Sequence, residues 1–336
     1  MGMAWVAVCG LLLSSAWAWG APEPDMVRYV ERGDSALARG DMREAVQAYE
    51  QARAAGAGSA GFLYRLGSLY LETGQPDKAL QALRQSLKEK PGQLPVYSRL
   101  GEVFVATDRL DSAIRYVREA ASLAPDTASI HSSLAYLLLQ SDSLAAAKEE
   151  LDTALRLRPN SAEAHRYMGY YLARRDSVDA ALQEYRRVTE LVPDHFEAYN
   201  NMAYLYAQRG DYAKALEHYT LAKERTGDPE VMHAIDIRMG AVEAMMQGKM
   251  RARYILVETE AEAGELLRRA RSGGDFEDLA RRFSRAGNAA DGGDSGYFGR
   301  GELVPAIEQS VLSLQVGQVS EVVRLPQGFM LIQRLN

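Results

Sequence analysis

Small and large apolar side chains recur along the middle of the chain with a fixed period of 34 residues, from Met26 to Pro229. The small residue of each unit is Gly33, Gly67, Gly101, Ala135, Gly169 or Ala203. Alanine follows 12 residues later, at Ala45, Ala79, Ala113, Ala147, Ala181 and Ala215. A large side chain comes four residues after that, at Tyr49, Leu83, Val117, Leu151, Tyr185 and Tyr219. This period predicts six copies of one structural unit.

Each unit is predicted to be a pair of antiparallel helices that meet at their small residues, while the large residue fills the groove between them. The turn inside a unit is marked by breakers such as Gly40-Asp41, Gly74-Gln75 and Gly210-Asp211. Pro91, Pro125, Pro159 and Pro193 close four of the units, because proline cannot continue a helix. The pattern resembles the tetratricopeptide repeat (TPR). That resemblance implies an α-helical solenoid of six repeats over 26–229, closed by a capping helix within 230–248.

The first helix of each repeat is expected to line a concave groove, into which repeat positions two, five, nine and twelve point. Position nine supplies Tyr136, Tyr170 and Tyr204, and position five supplies Tyr64, Arg166 and Asn200. Tyrosine joins an apolar ring to a polar tip, so these residues are candidate contacts for an extended peptide or a partner helix. The alternative is that the tyrosines only cover the interior of the superhelix.

The pattern changes after Met250, where the 34-residue period stops. A short β-rich run at 252–257 is followed by helical patterns over 259–271 and 276–283, and then by a glycine-rich loop at 287–296. Another short helix is predicted over 304–314. Alternation over 319–335 predicts a hairpin that turns at Pro326-Gln327-Gly328. Residues 249–336 are therefore predicted to form a compact α+β domain.

Several short motifs in this segment occur together, in order and at matching spacing, in one known family. They are Arg253–Val257, Asp275–Ala280, Gly292–Phe298, Leu303–Ala306, Gly317–Ser320 and Gln327–Phe329. On these motifs, the segment from Arg251 to Asn336 resembles the parvulin (PpiC or rotamase) family of peptidyl-prolyl isomerases. The resemblance implies a four-stranded antiparallel sheet with about four helices. It also implies binding of proline in an apolar slot, where rotation about the X–Pro bond is accelerated without covalent attack.

The polar residues that ring this slot in the family are replaced here. The resemblance places Tyr254 at the first-strand histidine, Met330 at the last-strand histidine, and Gln327 at an aromatic position. Ala286 falls at the family's Cys or Asp, with Asn288 and Asp291 as alternatives in the same loop. The apolar floor is kept, since Phe298, Leu303, Ile307 and Phe329 lie at or beside hydrophobic family positions. These four residues and Gln327 are the candidate contacts for substrate.

Two functions are compatible with a retained floor and a lost polar ring. The first is binding of proline-containing or extended protein segments, with weak or absent catalysis, to assist folding or assembly. The second is an active isomerase, in which Tyr254 supplies a hydroxyl, because rotation requires no obligatory proton transfer. A third hypothesis is a non-catalytic envelope scaffold that binds its protein partners through the TPR groove.

The N-terminus predicts export. No charged side chain occurs between Met1 and Ala21, and an apolar run at 4–13 precedes the small-residue sequence Ala16-Trp17-Ala18. Such a run is too short to span a bilayer and suits a signal peptide, here 1–18, with an approximate cleavage site. Residues 19–25 then form a leader. We expect a location in the bacterial periplasm or cell envelope, with an uncleaved N-terminal anchor as the alternative.

Composition and the absence of certain motifs exclude several classes of partner and cofactor. The formal charge of −6 over 336 residues disfavours nucleic-acid binding, and the single cysteine, Cys9, lies in the predicted signal. No phosphate-binding loop, HExxH or CxxC motif occurs, so no cofactor and no metal are expected. His131, His165 and His233 share one repeat position, and successive repeats lie about 10 Å apart. They are therefore predicted to be core or partly buried histidines rather than zinc ligands, which must converge on one ion.

Overall fold

The computed structural model describes residues 24–336, and the predicted signal peptide at 1–18 lies outside them. The chain divides into two compact units, one reaching Asp176 and one beginning at Ser177. The boundary falls inside the fifth predicted repeat, between its two helices. No helix among residues 24–336 is long and apolar enough to cross a membrane.

The repeat region is helical throughout, as the period predicts. The helices of the first unit are α1 (Pro24–Ala38), α2 (Met42–Ala54), α3 (Ala60–Glu72), α4 (Pro76–Glu89), α5 (Leu94–Ala106), α6 (Leu110–Leu123), α7 (Ala128–Gln140), α8 (Leu144–Leu157) and α9 (Ala162–Arg174). Those at the start of the second unit are α10 (Val178–Leu191), α11 (Phe196–Gln208), α12 (Tyr212–Arg225) and the capping helix α13 (Pro229–Met246).

The small residues act by close approach, as expected. A Cβ atom on Gly67 of α3 would lie 2.7 Å from Leu83 Cγ of α4, and one on Gly33 would lie 2.3 Å from the Tyr49 ring. Both distances are too short for non-bonded carbon atoms. Leu83 and Tyr49 are fully buried, so in these two repeats the large residue fills the space that glycine leaves.

The turn between the two helices of a repeat requires a left-handed backbone residue. Gly40, Gly74 and Gly210 take this position with φ of 78°, 72° and 76°. Three repeats have aspartate there instead, at Asp108, Asp142 and Asp176, with φ between 53° and 59°. Aspartate is among the few L-residues that tolerate this conformation, so these three repeats form the same turn without glycine.

The C-terminal part of the second unit is the predicted α+β domain. Its elements are β1 (Met250–Val257), α14 (Glu260–Arg271), α15 (Phe276–Phe283), a single 3₁₀ turn (Ala289–Asp291), β2 (Asp294–Phe298), α16 (Pro305–Ser313), β3 (Val323–Leu325) and β4 (Gly328–Arg334). The four strands form one antiparallel sheet in the order β2-β1-β4-β3. The hairpin is shorter than predicted, because Val319 makes only an isolated bridge to Gln333 before the chain reaches β3.

Candidate functional site

The pairing of β1 with β4 brings two of the predicted site positions together. Leu256 lies opposite Met330 and Tyr254 lies opposite Ile332, so Tyr254 and Met330 are diagonal neighbours on one face of the sheet. On this face they join a hydrophobic cluster that includes Phe298 from the end of β2, Ile307 from α16 and the partly buried Leu303. Tyr254, Phe298, Leu303, Ile307 and Met330 are called the site cluster below.

The expectation that Phe329 belongs to the same apolar floor is wrong. Successive residues of a strand point to opposite faces, and Phe329 directly precedes Met330. Phe329 therefore packs on the other side of the sheet, against a core that contains Ile255 and Leu331. The guanidinium of Arg324 lies 5.3 Å from the centre of the Phe329 ring. Phe329 thus supports the sheet from behind the site cluster.

The site cluster is packed rather than hollow. The exposed fraction is 3% for Phe298, 5% for Met330, 7% for Ile307 and 9% for Tyr254, whereas Leu303 is half-buried. Tyr254 and Met330, which are predicted to replace the two family histidines, are both bulky and pack beside Phe298 and Ile307 in the same cluster. Leu303 is thus the most exposed member of the site cluster, and Val304 after it is exposed.

The hydroxyl of Tyr254 is buried and has no hydrogen-bond partner. Burial raises the pKa of Tyr254, the hydrogen-bonding effect of the nearby Ser295 hydroxyl lowers it, and the Asp294 carboxylate adds to the increase. The Ser295 hydroxyl, however, already accepts from Ala252 N at 3.0 Å and donates to Gly296 O at 2.7 Å. A buried hydroxyl without a partner costs about 1–3 kcal/mol, so this group is a local weakness of the unliganded fold.

The other candidate positions of the polar ring are exposed or make hydrogen bonds of their own. Ala286 is half-buried in the loop after α15, where its N–H donates to Ser284 Oγ at 3.2 Å. Asn288 donates to Asp294 O at 2.8 Å, which fixes the start of β2. Asp291 is exposed in the 3₁₀ turn, and Gln327 is exposed in the turn between β3 and β4. These four residues do not supply a new polar ring in the unliganded structure.

An ion pair that the sequence analysis did not single out joins β1 to β2. Both carboxylate oxygens of Asp294 accept from the guanidinium of Arg251. Arg251 thereby holds the pKa of Asp294 below its usual range. The same guanidinium lies 5.4 Å from the centre of the Tyr297 ring. The arrangement fixes β2 beside β1, and so places Phe298 in the site cluster.

A second candidate site lies in the first unit. A cavity of about 500 Å³ opens between the first helices of the third, fourth and fifth repeats. Its walls include Ser98, Glu102, Val105, Ile130, Ser133, Tyr136 and Tyr167. The rings of Tyr136 and Tyr167 stack with centres 5.1 Å apart, and the guanidinium of Arg166 lies 4.2 Å from the centre of Tyr167. The cavity lining is mostly apolar and includes the hydroxyl groups of serines and tyrosines.

The repeat register explains why the cavity forms there. Repeat position five is Tyr64 in the second repeat and Arg166 in the fifth, but it is Ser98 in the third. Position six is Ser133 in the fourth repeat and Tyr167 in the fifth. Small serines therefore leave space between larger neighbours. Tyr167 was missed because its position is not one of those expected to face the groove.

The other predicted groove residues have different surroundings. In the first unit, Tyr170 is exposed, while Tyr64 is half-buried against the core of the first repeats. In the second unit, Tyr204 is 54% exposed, and Asn200 accepts a hydrogen bond from Arg238 at 3.0 Å. Of the six predicted groove residues, Tyr136 lines the cavity of the first unit.

The three aligned histidines have unequal roles. His131 is buried, with Nδ1 2.6 Å from Glu150 and Nε2 2.8 Å from Pro125 O, as predicted for a core histidine. His165 is half-buried, but His233 is exposed, so the prediction of burial is wrong for His233. His233 lies on α13, which is followed by β1 and not by the second helix of a repeat that would pack over it. Within residues 24–336, no group of three His, Cys, Asp or Glu residues is placed to hold a metal.

Comparisons with known families agree with both parts of the sequence. A PPIC-type PPIase (rotamase) domain matches residues 252–336. Tetratricopeptide repeats match residues 36–102 and, in overlapping copies, 98–162, 132–194 and 168–229. The chain therefore carries TPR repeats followed by a parvulin domain.

Curated relatives are similar to the C-terminal part. Chaperone SurA of Burkholderia orbicola (strain AU 1054) is 36% identical over 104 residues, which are 31% of this chain and 21% of that protein. Foldase protein PrsA of Geobacillus sp. (strain WCH70) is 41% identical over 86 residues, which are 25% of this chain and 31% of that protein. The chain thus spans less than a third of the length of these two relatives.

Solved structures are similar to the helical part. PilF of Pseudomonas aeruginosa superposes with a TM-score of 0.51 at 19% identity, covering 64% of this chain and 97% of that chain. A tetratricopeptide repeat protein of Parabacteroides merdae superposes with a TM-score of 0.51 at 14% identity, covering 66% of this chain and 100% of that chain. At these identities, the likeness shows the fold alone.

Proposed function

We propose that this chain, which carries TPR repeats and a parvulin domain, assists the folding or assembly of proteins outside the cytoplasm. In this proposal the parvulin domain binds proline-containing or extended segments and isomerises them weakly or not at all. The TPR cavity holds a further part of the client or a partner protein. Similarity to proteins named chaperone SurA and foldase PrsA supports the general role.

One observation carries the proposal. The site cluster keeps Phe298, Leu303 and Ile307 together on one face of the sheet, but completes that face with Tyr254 and Met330. An apolar surface still favours a proline ring, because burying apolar area is favourable regardless of direction. Twisting an amide requires its resonance to be lost, and here two bulky groups replace the titratable residues of the family. Binding is therefore favoured over catalysis.

The cavity beside Tyr136 supports a role for the repeats in binding. Aromatic walls with hydroxyl groups among them suit an extended segment, whose side chains enter the cavity while its backbone hydrogen-bonds to the hydroxyl groups. The same feature favours the second candidate function, a scaffold that binds partners through the repeats alone. The two functions differ in whether the parvulin domain contributes to binding.

The test measures binding and isomerisation by the full chain. The probe is a fluorescent peptide with one Ala-Pro bond, compared with the same peptide in which alanine replaces proline. We expect tighter binding of the proline peptide and at most slight acceleration of its isomerisation. Leu303→Ser is expected to weaken binding about tenfold, since burial of a leucine side chain is worth roughly 1.5–3 kcal/mol. The control is Leu312→Ser, at an exposed position of α16 outside the site cluster.

The alternatives predict other results. Strong acceleration by the unmodified chain means an active isomerase, and a Tyr254→His/Met330→His double variant shows how much the lost histidines contribute. Equal binding of both peptides, with no effect of Leu303→Ser, excludes the parvulin domain as the binding site. Ser133→Trp, which fills the cavity, then tests the scaffold function, with Ser122→Trp on the exposed surface of α6 as its control.

The proposed location has a separate test. Export is inferred from the uncharged apolar N-terminus and its small-residue cleavage pattern. Residues 1–25 fused to an alkaline phosphatase that is active only after export are expected to give activity. The same fusion with Leu12→Arg is expected to lose it, because the charge interrupts the apolar run. Equal activity of the two fusions contradicts the proposed signal.

A further inference from the structure

The Tyr254 hydroxyl lies within the site cluster without a partner, although nine-tenths of the residue is buried. Phe298, Ile307 and Leu303 bring only carbon atoms to the cluster, and the Met330 thioether is a weak acceptor. The Ser295 hydroxyl accepts from Ala252 N and donates to Gly296 O, and it does not come within hydrogen-bond geometry of the Tyr254 hydroxyl. Phenylalanine at position 254 would fill the same space without leaving a donor unpaired. The hydroxyl is therefore better explained by a bound group that accepts its hydrogen bond.

We propose that the Tyr254 hydroxyl donates a hydrogen bond to the carbonyl oxygen of the residue that precedes proline in a bound segment. This inference rests on the proposed function, in which the parvulin domain binds such segments. The carbonyl carbon of that residue is bonded to the proline nitrogen. A proline ring placed against the site cluster therefore brings the carbonyl oxygen close to the cluster as well. The carbonyl loses water when it is buried, and a donor inside the cluster compensates for this loss.

The Tyr254 hydroxyl is buried, so a bound segment reaches it only if the edge of the site cluster rearranges, and the segment between β2 and α16 borders the cluster through Leu303. This segment, Gly299–Val304, carries Leu303 over the cluster, and Arg300, Gly301 and Glu302 within it are exposed. Two carboxylates hold it: Glu302 accepts from Gly299 N at 3.0 Å, and Glu308 accepts from Gly301 N at 2.8 Å. Both bonds lie at the surface, where water can replace them. The segment can therefore rearrange so that Leu303 packs against a bound proline ring, while the core behind it stays packed.

The position of the donor decides what it does to the bound peptide. A hydrogen bond to the carbonyl oxygen stabilises the resonance form with a C–N double bond, and rotation requires that double-bond character to be lost. Tyr254 therefore strengthens binding and does not lower the rotational barrier. In this way a single hydroxyl makes the domain hold prolyl segments rather than isomerise them.

Tyr254→Phe in the full chain tests the inference with the same two peptides. Affinity for the proline peptide is measured by fluorescence titration, and the cis–trans exchange rate of saturated peptide is measured by NMR. We expect about a fivefold loss of affinity, which corresponds to one neutral hydrogen bond of about 1 kcal/mol. The exchange rate in the complex is expected to stay unchanged or to rise. Tyr49→Phe, far along the sequence in the first repeat, is the matched control and should change neither quantity.

Each other result has a distinct meaning. Unchanged affinity in Tyr254→Phe, with normal binding by the unmodified chain, overturns this inference and leaves the proposed function standing. Loss of affinity together with a slower exchange rate in the complex also overturns it, because the hydroxyl then assists rotation. If the unmodified chain does not prefer the proline peptide, the proposed function itself fails, and the inference fails with it.

Discussion

Gly293 packs directly against the backbone of Tyr254. The Tyr254 N–H donates to Gly293 O at 2.8 Å, and a Cβ atom on Gly293 would lie 2.3 Å from Tyr254 O. Gly293 also has a φ of 78°, in the left-handed region. The glycine pair at 292–293 therefore does more than form a turn: it lets the chain approach β1 closely enough to fix Tyr254 in the site cluster.

Gly293→Ala is expected to destabilise the parvulin domain by at least about 2 kcal/mol. A left-handed alanine costs roughly 1–2 kcal/mol, and the clash with the Tyr254 backbone adds to that cost. Gly296→Ala is the control, because Gly296 has a φ of 65° but open space around its Cβ position. The loss of stability in each variant is measured by the hydrogen-exchange protection of β1 amides. Equal losses in the two would contradict the role of the close approach.

Tyr49→Phe and Tyr254→Phe are expected to change stability in opposite directions. The Tyr49 hydroxyl is buried and donates to Asp34, whereas the Tyr254 hydroxyl has no partner. Removing the paired hydroxyl should cost about 1 kcal/mol, and removing the unpaired one should gain about 1 kcal/mol. Hydrogen exchange of α2 amides and of β1 amides reports the two sites separately. Destabilisation in both variants would show that Tyr254 has a partner in solution.

Stability is expected to fall between pH 10 and about 12. Burial, with added hydrogen bonds to Asp34 and Glu50, raises the pKa values of Tyr49 and Tyr70 to about 12 from 10.0. In that interval the unfolded chain loses tyrosine protons that the folded chain keeps. The free energy of unfolding then falls by about 1.4 kcal/mol per pH unit for each tyrosine. Urea unfolding at several pH values measures this dependence. The free energy of unfolding should fall less steeply with pH for Tyr70→Phe than for the unmodified chain.

Asp108→Gly is expected to stabilise the third repeat by about 0.5–1 kcal/mol. Glycine removes the cost of a left-handed L-residue, which exceeds the extra backbone entropy that glycine loses on folding. Asp142→Gly in the fourth repeat is the comparison, because the Asp142 carboxylate also forms an ion pair with the Arg174 guanidinium at 2.8 Å. That exposed pair is worth about 0–1 kcal/mol, so its loss reduces the gain. Thermal unfolding compares the two, and a larger gain in Asp142→Gly would contradict this account.

The repeat architecture was determined by the sequence itself. Each helix pair depends on contacts within one 34-residue unit, such as Gly67 with Leu83, and these contacts recur at the same spacing. The motifs of the C-terminal segment were likewise sufficient to predict its antiparallel sheet and its helices, whereas the assignment of Tyr254 and Met330 to the family histidine positions stays a prediction. Local patterns carry this information because the structures they specify are themselves local or repeated.

Tertiary structure alone decided which of these residues meet. Phe329 and Met330 are adjacent in sequence, but strand alternation places them on opposite faces, and only the register of β4 against β1 fixes which residue faces the site cluster. The cavity beside Tyr136 likewise depends on serines from separate repeats that come together only when the helices stack. The missing partner of the Tyr254 hydroxyl is also a tertiary property. A hydrogen bond requires an acceptor at the right distance, and the acceptors near Tyr254 lie on strands and loops that are distant in sequence.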